Sequence, residues 1–135
     1  MKKKLNIAVV GLGQIGIYLL NELNTKKKDI EIKTGKKINI EAISAKNINK
    51  KRRFKINKKI FFKNPLEIIK KKKIDILFEV IGNSDGISKK IVEESLKNKI
   101  HVITPNKALI AKHGDYLSNL AEKNNQESVF VSEQV

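Results

Sequence analysis

Cysteine and tryptophan are absent from this 135-residue chain, methionine occurs once and proline twice, and aromatic residues make up only 5% of it. Without thiols there is no disulfide framework and no thiolate zinc site. No run of about 18 apolar residues occurs, so no segment is suited to cross a bilayer as a helix. Acidic side chains are scarce too, 14 against 29 Lys and Arg, for a formal net charge of +15. Such an excess suits phosphate-bearing partners. Yet among those 29 only Arg52 and Arg53 are arginine, the side chain that grips base edges bidentately. Most of the charge is therefore read as solvated lysine in a chain rich in Lys, Ile and Asn, and nucleic acid is not the expected partner.

With 40% hydrophobic residues the chain has material for a core, and its length fits a single domain over residues 1–135. Met1 to Lys4 followed by Leu5 to Leu12 has the outline of a signal peptide, but Asn6 interrupts it, glycines follow, and no small-residue cleavage site lies behind it. A first β-strand over Leu5–Val10 is the better reading, and it places the protein in the cytoplasm.

The pattern along the chain alternates strands and helices. Ile15, Leu19, Leu20 and Leu23 recur at helical spacing, a polar stretch runs from Thr25 to Lys37, and Ile38–Ser44 reads as a strand with Ile38, Ile40 and Ala42 on one face. Lys46–Lys59 reads as a solvated loop or weak helix, and Ile60–Phe62 as a short strand. Asn64 and Pro65 open a helix through Ile69, as a cap residue followed by proline should. Ile74–Ile81 is the most apolar strand, Gly82–Gly86 a turn, and Ile87, Ile91 and Leu96 mark a helix. Ile100–Thr104 is a strand, two short helices split at Gly114 follow, and Ser128–Val131 closes the series. The expectation is an α/β domain around a largely parallel sheet.

Three segments carry chemistry. GLGQIG places Gly11, Gly13 and Gly16 in G-x-G-x-x-G spacing between a strand and a helix, the context that this motif requires. The first glycine makes the turn, the second admits a pyrophosphate, and the third lets helix and strand pack closely. Gly11, Gly13, Gln14, Ile15 and Gly16 are the candidate pyrophosphate loop, and Gly82, behind the most apolar strand, is a further candidate cofactor contact. At the end of the second strand an acidic residue would bind the ribose 2′-hydroxyl and repel a 2′-phosphate. Here stand Ser44, Ala45, Lys46 and Asn47, with Lys50 to Arg53 close behind. NADP is therefore the expected cofactor and NAD the alternative, with Ser44 and Lys46 facing the phosphate. In TPNKAL, Thr104, Asn106 and Lys107 stand where a strand ends and a helix begins, the edge at which open α/β sheets bind ligands. A lysine there can polarise a carbonyl or relay its proton, while Thr104 can also serve as a plain helix cap before Pro105.

GLGQIG, KTGKKINIEAIS, FEVIGNSDG (Phe78–Gly86) and TPNKALIAKHG (Thr104–Gly114) occur in the order and approximate spacing of homoserine dehydrogenase. Along essentially its whole length the chain resembles the amino-terminal nucleotide-binding domain of that family, in the form without a fused aspartate kinase. The resemblance implies a Rossmann-type doubly wound, mostly parallel sheet with helices on both faces. It also implies NAD(P)-dependent interconversion of L-homoserine and L-aspartate 4-semialdehyde, on the route to threonine and methionine. By the same resemblance Lys107 falls on the family's TPNK or TANK lysine, a catalytic acid/base or proton relay. Gly11, Gly13 and Gly16 match its pyrophosphate loop, and Thr104 and Asn106 lie beside the nicotinamide. Lys46 stands where the family usually has an arginine for the 2′-phosphate, keeping the charge but not the fork.

In the family, a strand resembling Val129–Val135 leads into a substrate and dimerisation domain with acidic substrate-binding residues and a second catalytic lysine. The expectation is therefore a truncated chain, with little turnover and low solubility. Its full-length form would be a homo-oligomer that takes a small amino-acid substrate only with the missing domain. Ser132–Val135 approach the family's metal-binding turn, but no metal site is assigned. His101 and His113 are read as structural. Asp75 and Glu79 are read as lying toward strand ends or pairing with lysine, and receive no role. The alternatives are another dehydrogenase or reductase with the same glycine loop, and a basic nucleic-acid module centred on Lys46–Lys59 with Phe54, Phe61 and Phe62 as stacking platforms.

Overall fold

In a computed structural model of the chain, residues 3–46, 56–81 and 86–124 are described in full and 128–130 as backbone. Among these residues six strands form one sheet: β1 (Lys4–Val10), β2 (Lys37–Ser44), β3 (Phe61–Phe62), β4 (Ile76–Glu79), β5 (His101–Thr104) and β6 (Ser128–Phe130). Their order is β3-β2-β1-β4-β5-β6, and every pairing is parallel. This is the doubly wound arrangement, whose strand order reverses beside the first strand.

The helices are α1 (Gln14–Thr25), α2 (Lys27–Thr34), α3 (Leu66–Lys71), α4 (Ile87–Lys97) and α5 (Lys107–Lys123). β1 is apolar on both faces because both faces are covered. Ile7 and Val9 pack with Leu12, Ile17 and Ile43 on the α1 side, whereas Ala8 and Val10 join Leu77, Val102 and side chains of α3, α4 and α5 on the other. At the other ends of β1 and β4, the Asn6 amide donates to Asp75 Oδ2 at 2.8 Å and the Asp75 amide donates to the Asn6 carbonyl at 2.8 Å. Asp75 and Glu79 thus stand at opposite ends of β4 and form no carboxylate pair.

Four features depart from the sequence reading. The polar stretch from Thr25 to Lys37 contains a helix, α2, which has no buried residue and ends at Gly35 in the left-handed conformation. Its periodicity was invisible because it offers no apolar stripe, and Ile32 is 82% exposed. Second, Ile38 and Ile40 do not share a face with Ala42. Ile7 pairs with Ile40 but Ala8 with Ala42, so Glu41 is an extra residue in β2. This bulge hands Ile43 to the face of Ile38 and Ile40, and sends Ala42 to the opposite core. Third, α5 runs unbroken through Gly114. One glycine costs a helix only about 1 kcal/mol, and burial of Leu109, Leu117 and Ala121 outweighs it. Last, Ile15 is 54% exposed rather than part of the buried stripe of α1.

Candidate functional site

The turn after β1 is built from contacts that only glycine tolerates. Gly11 has φ +106°, donates its N–H to the Ser44 carbonyl at 2.8 Å, and leaves no room for a side chain: a β-carbon would lie 2.7 Å from the Val80 carbonyl oxygen. At Gly16 a β-carbon would lie 1.9 Å from the Gly11 carbonyl oxygen, which is how α1 approaches the turn so closely. Gly13 differs, since nothing stands within 4 Å of its β-position. Among the described residues the space over this glycine is open, as a backbone that meets a ligand needs.

Gly13 precedes α1 with extended backbone, and no side chain caps the helix there. The first turn, which includes Gln14, Ile15 and Gly16, holds no acidic residue. Uncapped N–H groups at the positive end of a helix dipole attract an anion. Among the described residues a pyrophosphate therefore fits this turn on three counts: clear space over Gly13, an uncapped helix start, and no acidic residue in the first turn of α1.

Ser44 ends β2 and is buried, with its carbonyl tied to Gly11, while Lys46 is exposed two residues further on. The structure thus brings Ser44 to the glycine turn and leaves Lys46 in solvent beside it. Gly82, Lys50 to Arg53, Phe54 and Ser132–Val135 lie outside the described residues.

On the other side of the turn, a cleft of about 290 Å³ is lined by Ile15, Val80, Ile81, Pro105, Asn106 and Lys107, among others. It joins the start of α1 to the start of α5. Thr104 and Asn106 are buried, and Lys107 is exposed as the first residue of α5. The cap of α5 is Asn106, not Thr104: its Oδ1 accepts the Leu109 N–H at 3.0 Å. Thr104 Oγ1 accepts the Asn106 N–H at 3.0 Å.

Beneath this turn lies a residue to which the sequence reading assigned no role. Glu79 is fully buried. Its Oε1 accepts from the Thr104 hydroxyl at 2.7 Å and from Asn106 Nδ2 at 3.3 Å, and its Oε2 accepts the Ile81 N–H at 2.8 Å. The signal in the sequence was a carboxylate in the most apolar strand, since a charge in such a place must find donors. Its partners, 25 and 27 residues further on, could not be read from spacing.

A larger cavity of about 470 Å³, between α1 and β2, has Lys27 as its one charged lining residue among the described residues. The cleft over α5, with the uncapped α1 and Lys107 at its rim, is the better candidate. Among the described residues no three His, Cys, Asp or Glu gather as a metal group, and no helix is long and apolar enough to cross a membrane.

Comparison with known proteins bears on the same residues. Positions 11–131 match the family model for the NAD-binding domain of homoserine dehydrogenase. A homoserine dehydrogenase of Neisseria gonorrhoeae is 32% identical over 123 residues, which cover 91% of this chain and 28% of that protein. The Bacillus subtilis enzyme is 26% identical over 122 residues, again 28% of its length. Among solved structures, S. aureus homoserine dehydrogenase superposes with a TM-score of 0.88 at 35% identity, over 95% of this chain and 33% of that one. The chain thus spans roughly a quarter to a third of the length of these three relatives.

Proposed function

Since the chain belongs to the homoserine dehydrogenase family, as its nucleotide-binding part, we propose that it holds NADP in preference to NAD, for the interconversion of L-homoserine and L-aspartate 4-semialdehyde. The observation that carries this reading is the clear space over Gly13 at an uncapped helix start. Gly11, Gly13, Gln14, Ile15 and Gly16 hold the pyrophosphate through backbone. Ser44 and Lys46 receive the 2′-phosphate, where the exposed ammonium supplies charge and the sequence from 44 to 59 holds no carboxylate. Thr104 and Asn106 border the nicotinamide half, and Gly82 belongs to the same contact set.

When bound, the cofactor supplies the hydride acceptor or donor. Lys107, at the rim of the cleft, exchanges a proton with the substrate oxygen as acid or base. We assign residues 1–135 to one nucleotide-binding domain of a cytoplasmic enzyme, whose substrate and dimer contacts belong to a further domain. Turnover is accordingly a property of the longer, oligomeric protein.

Titration of the chain with NADPH, followed by nicotinamide fluorescence, tests the proposal. Saturable binding is expected, tighter than for NADH and weakened in Gly13→Ala. Absence of saturable binding by either nucleotide overturns the reading, and steeply salt-dependent RNA binding in its place would favour the basic-module alternative.

A further inference from the structure

We propose that Glu79 is a positioning residue for the nicotinamide half of the cofactor and for Lys107, acting as a buried clamp between the exits of β4 and β5. The inference deepens the function proposed above and rests on it.

Glu79 ends β4 and Thr104 ends β5. Both leave the sheet at the edge where such folds bind ligands. One carboxylate oxygen of Glu79 faces Ile81, in the turn leaving β4. The other faces Thr104 and Asn106, in the turn leaving β5. Asn106 in turn caps α5, whose first residue is Lys107. A continuous chain of hydrogen bonds therefore runs from Ile81, through Glu79, to the start of α5. Ile81, Asn106 and Lys107 all line the same cleft, so Glu79 fixes its two walls relative to each other without reaching the cleft itself.

The chemistry of the site selects a carboxylate. All three partners donate, and each oxygen of Glu79 has at least one donor to accept. A glutamine offers one acceptor atom and one NH2. Whichever way it is turned, the NH2 meets the Ile81 N–H or the Asn106 amide, leaving a buried donor unmatched.

The glycine turn is anchored separately, by the Gly11 amide on Ser44 and by Gly16 against Gly11. Adenosine lies toward β2 and the other nucleotide toward β4 and β5, because the strand order reverses at β1. Loss of the clamp should therefore act on one half of the dinucleotide only, which a general loss of stability would not do.

The experiment is a pair of titrations of the 135-residue chain, with NADPH and with 2′-phospho-ADP-ribose, on the wild type, Glu79→Gln, Thr104→Val and Thr104→Ser. Glu79→Gln is expected to weaken NADPH about tenfold, the size of one lost hydrogen bond to a charged group, and to bind 2′-phospho-ADP-ribose like the wild type. Thr104→Val should weaken NADPH alone, Thr104→Ser should restore it, and adding Thr104→Val to Glu79→Gln should cost less than the two separate losses combined. Unchanged NADPH affinity in Glu79→Gln overturns the clamp, and so does an equal loss for both ligands. If Glu79→Gln does not fold, the Thr104 pair decides: equal NADPH affinity in Val and Ser variants overturns it. Failure of the wild type to bind either ligand is a different outcome, which removes the proposed function and this inference with it.

Discussion

A β-carbon placed on Gly16 would stand 1.9 Å from the carbonyl oxygen of Gly11, inside any permitted contact and against backbone rather than a movable side chain. Gly13, between them in the same motif, has nothing within 4 Å of its β-position and an extended backbone that alanine adopts without strain. The fold requires glycine at position 16 and does not require it at position 13.

The two should separate in experiment. Gly16→Ala is expected to lose stability at the upper end of the about 1–3 kcal/mol that overpacking costs, read as a lower denaturation midpoint. Gly13→Ala should keep the wild-type midpoint and weaken NADPH by about tenfold or more, since a methyl group would stand where backbone must approach an anion. Wild-type binding by folded Gly13→Ala would contradict the assignment of that space to a pyrophosphate.

Lys46 sets a second test. Lys46→Ala is expected to weaken NADPH about fivefold, the effect of an exposed charge pair worth ~1 kcal/mol, and to leave NADH as it was. The difference should shrink as salt is added. Equal losses for both nucleotides would remove Lys46 from the 2′-phosphate site.

Gly114 offers a stabilising change. It sits inside α5, and a β-carbon there meets only Ile110 Cγ2 at 3.4 Å, an ordinary contact. Gly114→Ala should raise stability by about 0.5–1 kcal/mol, measured by denaturant unfolding, with no change in cofactor affinity.

Tyr116 carries a pH dependence. Its hydroxyl donates to Glu93 Oε2 at 2.6 Å, and this bond, then partial desolvation, then the negative charge of Glu93 hold the phenol above its ordinary value of 10.0. The folded state therefore keeps the proton more tightly than the unfolded chain. The stabilisation is present below the unfolded value near 10 and is lost as pH rises through the higher folded one. In an ultraviolet titration Glu93→Gln should move one tyrosine transition to lower pH. An unmoved curve would show that the bond does not form in solution.

The parallel sheet was legible because its strands are short apolar runs, and the glycine turn because Gly11, Gly13 and Gly16 fall between a strand and a helix. Periodicity reports only faces that are buried, which is why α2, with none, was read as a polar stretch. It also assumes that the count of two holds along a strand, and the extra residue at Glu41 breaks that count. Gly114 was read as a stop because local preference was weighed without the core that Leu117 and Ala121 enter. In the candidate site Thr104, Asn106 and Lys107 carry a local signature, the TPNK run between a strand and a helix. Glu79 carries none, because its donors lie at the end of β5 and at the cap of α5, far along the chain.

The central position of β1 has a consequence for how the chain is made. Ile7 pairs with Ile40 on one side and with Ile76 on the other, the longest separation among the strand pairings described. Of the three strands β1 precedes both its partners in the chain, so its second edge stays open until β4 has followed. An apolar strand with an open edge is a template for wrong partners, and distant pairings are slow to close. The order of strands in the sheet thus leaves the nascent domain with an apolar edge uncovered until β4 has emerged.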